Sequence, residues 1–271
     1  MSVPPASRQA DENERPEPGP ARGTRVLERS LAVLFELADT DHPLPTAELA
    51  RRVHLPASTT YRLVDELDGH GLVERRGDGG VSLGLRLLEL ARRVEDGLAP
   101  SLLEPARGIM RALAHEYGET VLLTAPAGRF AIGLDSIEPP RPVRLSFGRW
   151  RVAPMHLGAS GKVLLAFLPE RAAERVLAAV DHTITASGQH VDVERLRREL
   201  VEARERGVVV THGELDRGVS GVAAPLLGPR RRLVAGVTLA GPTERLAPRA
   251  AQLAAAVREA AEAIELAVND G

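Results

Sequence analysis

Apolar positions recur at helix spacing from Val26 onward: Val26, Leu27, Leu31, Leu34, Phe35 and Leu37 define a stripe that predicts a first helix. The polar run Asp39-Thr40-Asp41-His42-Pro43 ends that pattern. Thr46 then reads as the N-cap of a short second helix, Ala47 to Val53, with Leu49, Ala50 and Val53 turned inward. A tight turn at His54-Leu55 leads to Pro56, which suits the first position of a third helix running to about Asp68 and burying Leu63, Val64 and Leu67. Gly69 to Gly71 stops it. Leu72 to Arg76 and Val81 to Leu83, joined by Gly77-Asp78-Gly79-Gly80, read as a β-hairpin. Leu85, Leu88, Ala91 and Val94 continue as an amphipathic helix that ends near Gly97 to Pro100.

The texture changes at Ser101. A helix over Leu102 to Glu116 precedes strands at Thr120 to Ala125, Phe130 to Ser136 and Pro142 to Phe147. Helices follow at Ser160 to Leu168 and Asp192 to Arg206, then strands at Val208 to Thr211, Val219 to Leu226 and Leu233 to Leu239. An Ala-rich helix, Pro248 to Val268, closes the chain. The fold class is α+β, with no internal repeat. Residues 1–23 are rich in Pro, Glu, Arg and Ala with almost no large apolar side chain, and read as a disordered tail. The expected organisation is therefore that tail, a first domain of three helices and a hairpin over 24–84, a linker helix over 85–99 and a second domain over 100–271.

Composition narrows the function classes. The chain has 271 residues, enough for two domains, and 44% hydrophobic residues, enough for buried cores. No apolar run reaches transmembrane length and no signal-peptide stretch opens the chain, so a cytoplasmic location without membrane contact is expected. Cysteine is absent, which excludes disulfides and thiolate metal sites. The net charge of -2 does not advertise a nucleic-acid binder. Lys162 is the only lysine.

Three short helices and a two-stranded wing form a winged helix-turn-helix, in which the second helix braces the third and the third offers its N-terminal residues to the major groove. Those residues are Ala57, Ser58, Thr59, Thr60, Tyr61 and Arg62, with Thr46 at the start of the bracing helix. Arg75 and Arg76 on the wing suit phosphate or minor-groove contact. Such units also serve as protein-interaction modules, and Thr24 to Gly97 carries ten arginines against thirteen acids. Counterion release depends on the contacting face, however, and Asp65, Glu66 and Asp68 lie towards the far end of the third helix.

The same residues resemble the IclR family of bacterial transcriptional regulators. Arg29-Ser30-Leu31-Ala32-Val33-Leu34 resembles its opening helix, Leu44 to Leu63 its helix-turn-helix, and Gly71 to Leu90 its wing and linker. Pro154 to Ala166 resembles the family's PxHxxxxGKxxLA segment, and Gly213 to Leu226 and Val234 to Pro242 resemble its two late strands. The match runs in order from about Thr24 to Val268. Two departures stand out: His54 occupies a turn position where the family often has Gly, a left-handed conformation His tolerates at some cost, and Gly221 stands where it often has Cys.

The resemblance implies a GAF-like α/β domain that binds an effector and drives dimerisation, with tetramers common. It implies a repressor of a catabolic or metabolic operon, acting on double-stranded operator DNA and controlled by a small organic acid or aromatic catabolite, with no cofactor or metal. Carried over by position, the pocket is Pro142, Leu145, Ala159, Ser160, Thr211, Gly221, Thr238 and Ala240. Backbone N–H groups around Ala159 to Gly161 could hold a carboxylate at a helix start. Small residues there equally permit tight strand–helix packing.

Enzyme motifs are incomplete. Gly158-Ala159-Ser160-Gly161-Lys162 approaches a nucleophile elbow but ends in Lys, and it is not a phosphate loop because His156 and Val163 stand at its required Gly and Ser/Thr positions. His115-Glu116-Tyr117-Gly118-Glu119 lacks the second His of a zinc motif. His156, His182, His190 and His212 are scattered. Catalysis is not expected. The alternatives are a hydrolase built on Ser160 and a protein-interaction adaptor using the winged helix.

Overall fold

The computed structural model describes residues 22–77, 79–148, 150–180 and 184–269. The expected tail therefore lies almost wholly outside the described residues. The chain divides into two compact units, Met1–Glu95 and Asp96–Gly271.

In the first unit, helix α1 (Arg22–Ala38) begins two residues inside the expected tail. It is followed by β1 (Leu44–Pro45), α2 (Thr46–Arg52), α3 (Ala57–Gly69), β2 (Val73–Arg75), β3 (Gly80–Leu83) and α4 (Arg86–Leu98), which crosses the division. Leu44 pairs with Val81, so β1 adds a third strand that Pro45 masks in the sequence; the sheet order is β1-β3-β2, all antiparallel. Val33 and Leu37 of α1, Leu49 of α2, Leu63, Val64 and Leu67 of α3, and Val73 and Val81 of the wing close one core.

Three local expectations change. Thr46 is not an N-cap: Pro45 holds that position without a side-chain bond, and Thr46 is the first helical residue and is buried. Pro56 likewise sits at the N-cap of α3 rather than inside it. The α1 stripe splits: Leu34 and Leu37 face the core together with Val33, which the stripe omitted, while Val26, Leu27, Leu31 and Phe35 remain exposed. Helix α4 buries no side chain at all, although Leu88, Leu90 and Val94 lie along it. His54 does take the left-handed conformation, with φ 53°.

The second unit opens with a π-helical turn, Ala99–Leu103, and continues as α5 (Glu104–Tyr117), β4 (Thr120–Ala127), β5 (Phe130–Ile137), β6 (Val152–Pro154), α6 (Gly158–Phe167), α7 (Glu170–Leu177), α8 (Val193–Arg206), β7 (Val209–His212), β8 (Val219–Gly228), β9 (Arg232–Pro242), α9 (Thr243–Leu246) and α10 (Ala250–Asn269). Its six strands form one antiparallel sheet in the order β6-β5-β4-β9-β8-β7. Alternation along the strands divides two cores. Val222, Ala224 and Leu226 of β8 and Ala235, Val237 and Leu239 of β9 face α5 and α10, while Ala223 of β8 faces α6, α7 and α8.

The strand expected over Pro142 to Phe147 does not form, and the edge strand is Val152–Pro154 instead. Helix α7 went unread because it is a short helix of eight residues. Asp192 caps α8, accepting the Arg195 backbone N–H at 3.0 Å.

Candidate nucleic-acid interface and effector cavity

Helices α2 and α3 pack through Leu49, Leu63 and Val64, which leaves the N-terminal turns of α3 facing solvent. Ala57, Ser58, Tyr61 and Arg62 are exposed and Thr59 is half-buried. Thr60 is fully buried and its hydroxyl donates to the Pro56 carbonyl at 3.2 Å. Thr46 and Thr60 thus support the unit from within, and the solvent-accessible candidates contract to Ala57, Ser58, Thr59, Tyr61 and Arg62. Period explains the split: Thr60 shares its face with Val64 and Leu67, one and two turns on.

The wing arginines differ. Among the described residues Arg76 reaches only Ser82, with Nε 3.4 Å from Oγ. Arg75 turns back to α3, its Nη2 2.5 Å from Asp65 Oδ1 and its guanidinium carbon 5.9 Å from the Tyr61 ring centre. No ion pair holds Arg62 among the described residues. The far end of α3 carries Asp65, Glu66 and Asp68, all exposed.

In the second unit, α6 lies against β8 and β9 at close range. A Cβ on Gly221 would stand 3.0 Å from the Ala159 Cβ, and one on Gly236 would stand 3.0 Å from Val163 Cγ1. These two glycines serve packing. Beside them Ala159, Ser160, Thr211, Gly221, Thr238 and Ala240 line one cavity of about 50 Å³. Six of the eight expected pocket residues therefore converge. Pro142 and Leu145 do not: Pro142 is exposed, and Leu145 lends its carbonyl to the Thr120 hydroxyl at 2.5 Å. Their segment lacks the strand on which the positional carry-over relied.

Sequence reasoning missed the charged wall of this cavity, Glu214 and Asp216. Glu214 Oε2 accepts the Gly158 N–H at 3.1 Å, at the start of α6, and Oε1 lies 2.7 Å from Lys162 Nζ. Lys162, itself buried, also holds Glu199 Oε2 at 2.6 Å. A lone lysine inside an apolar helix was the available signal, because a buried ammonium requires carboxylate partners. Burial raises the Glu199 carboxyl, but its bonds to Lys162 and Arg195 outweigh this and hold it below the usual range. Burial and then the Lys162 charge lower His156, which keeps its imidazole neutral at pH 7.

Ser160 Oγ donates to Thr238 Oγ1 at 2.9 Å, and among the described residues no imidazole is hydrogen-bonded to it. His212 Nδ1 is paired with Ser220 at 2.8 Å instead. His182 lies outside the described residues. Among the described residues no group of three or more His, Cys, Asp or Glu is placed to hold a metal ion, and no helix is long and apolar enough to cross a membrane.

Comparison with known proteins agrees with this division. Residues 26–77 match the family model described as the IclR helix-turn-helix domain, and residues 100–266 match that of the bacterial transcriptional regulator IclR C-terminal region. The HTH-type transcriptional regulator TtgV of Pseudomonas putida is 33% identical over 217 residues, covering 80% of this chain and 79% of that protein. The transcriptional repressor IclR of Escherichia coli is 28% identical over 258 residues, covering 92% of each. Among solved structures, an IclR homologue from Microbacterium hydrocarbonoxydans complexed with 4-hydroxybenzoate superposes with a TM-score of 0.67 at 28% identity, covering 91% of this chain and 100% of that one.

Proposed function

Because the chain belongs to the IclR family of bacterial transcriptional regulators, we propose that it represses a catabolic or metabolic operon by reading operator DNA with Ala57, Ser58, Thr59, Tyr61 and Arg62, and that a small organic effector in the second unit sets its affinity. The observation that carries this reading is the exposed N-terminal end of α3, flanked by the wing and cleared of carboxylates. The acidic total of the unit is no obstacle, since Glu66 and Asp68 stand towards the C-terminal end of the helix and Asp65 is paired with Arg75.

The effector site is the cavity of Ser160, Thr211 and Thr238, which offers hydroxyls to a polar head and Ala159 and Ala240 to an apolar body. A carboxylate or an aromatic catabolite is the class proposed, which the relative solved with 4-hydroxybenzoate supports, with Glu214 on the wall already neutralised by Lys162. Regulation requires the effector to bind one arrangement of the molecule better than another.

The protein works as a cytoplasmic homodimer or tetramer without a cofactor and without catalysis. Val26, Leu27, Leu31 and Phe35 on α1, with Leu85, Leu88, Leu90 and Val94 at α4, are apolar and exposed in the single chain. Two copies that cover these faces present paired recognition helices to a two-fold symmetric operator.

Arg62→Ala tests the reading. It is expected to weaken operator binding about tenfold in fluorescence anisotropy, with thermal stability unchanged, because the guanidinium touches no ion partner in the free protein. Operator affinity equal to the wild type would remove α3 from the contact.

A further inference from the structure

Arg75 stands at the end of β2, on the wing, where an exposed arginine is ordinarily assigned to phosphate contact. Its guanidinium is already engaged. One face approaches the Tyr61 ring, 5.9 Å from its centre, and Nη2 lies 2.5 Å from Asp65 Oδ1. Tyr61 and Asp65 are four residues apart on α3 and so share one face of that helix. A planar guanidinium can stack on a ring and donate in its own plane at the same time, which an ammonium cannot do. A single side chain therefore ties the wing to the recognition helix, and its charge is neutralised by Asp65.

We propose that Arg75 is a positioning residue: it sets the Tyr61 ring for reading base edges and does not itself contact the DNA backbone. This makes Tyr61 the specificity-determining residue and assigns Asp65 the task of holding Arg75 off the phosphates. Tyr61 is 46% exposed and neighbours Arg62, so a ring fixed there enters the groove already ordered. Arg76 is the wing's phosphate contact, since its Nε reaches no carboxylate among the described residues, only Ser82 Oγ. The inference rests on the DNA-reading function proposed above.

The two roles of Arg75 differ in salt dependence. A phosphate contact releases counterions, so its loss lowers the slope of log K against log salt by about 0.9 per contact and weakens all DNA alike. A positioning residue leaves the slope unchanged and lowers only the preference for operator. The experiment uses the full chain, an operator duplex and an unrelated duplex of equal length, with anisotropy titrations across a salt series.

Arg75→Met is expected to reduce operator preference about tenfold, the scale of one good base contact, with an unchanged slope and unchanged affinity for the unrelated duplex. In a Tyr61→Ala background the same substitution is expected to have no further effect. A reduced slope, equal loss on both duplexes, or additivity with Tyr61→Ala would overturn the proposal. A thermal melt of each variant separates these outcomes from misfolding. A wild-type chain with no operator preference would overturn the DNA reading itself, and is measured first.

Discussion

Lys162→Met is expected to destabilise the second unit by about 3 kcal/mol at pH 7, the scale of breaking a buried ion pair from one side. The lysine is buried in α6 and its Nζ lies within 2.7 Å of both Glu199 and Glu214. Methionine matches the stem but leaves two carboxylates facing each other without the cation between them. The figure is near the lower end of the buried range because the Glu199 and Glu214 side chains keep 33% and 23% exposure, which lets water reach them. Glu214 also holds the Gly158 N–H, so its release would loosen the start of α6 beside the effector cavity.

The pH dependence follows from Glu199. Its carboxyl is held low in the folded protein, so it contributes stability above its unfolded value of about 4.3 and loses that stability as pH falls through the folded value. The gap between wild type and Lys162→Met is therefore expected to narrow on acidification below about pH 4.3. Urea denaturation at pH 7 and in that acidic window checks both points. Equal stability at pH 7 would mean that the ion cluster contributes nothing net.

Leu88→Asp is expected to lower operator affinity at least about a hundredfold, the advantage that two linked half-site contacts hold over one. Leu88 is 66% exposed on a helix that buries none of its own side chains. A charge there costs the single chain little, but it places an aspartate within the exposed apolar surface proposed above to pair two winged helices. The loss is expected whether or not the second units stay paired. Anisotropy on operator DNA, with circular dichroism to confirm the fold, measures it; wild-type affinity in the variant would take the α4 face out of the dimer.

Much of this arrangement is written in residue period. The spacing of Leu63, Val64 and Leu67 places α3 in its core, and strand alternation at Val222 to Leu226 separates the two faces of the larger sheet. Local period says nothing of which partner covers a stripe, so the α1 stripe reads as one face while only Val33, Leu34 and Leu37 meet the core of the same chain. Pro142 to Phe147 shows the opposite failure, where apolar alternation suggests a strand but the segment joins no ladder. The cavity residues from α6, β8 and β9 came from the family resemblance by position, and the helix and strands bring them together. Glu214 was not recoverable, because it reaches the site from a turn whose geometry depends on Lys162 and on the N–H of Gly158. The engagement of Arg75 with Tyr61 and Asp65 is not legible in the sequence, because those partners lie ten or more residues away and become neighbours only when the wing folds back.

The central claim is sequence-specific DNA binding by the intact chain. Its most direct test is an anisotropy titration on the DNA upstream of the protein's own gene and on a scrambled duplex of the same length, repeated across a salt series. A preference of at least about a thousandfold for the upstream sequence is expected, with log affinity falling linearly as log salt rises. Equal affinity for both duplexes, or no binding to either at low salt, would contradict it.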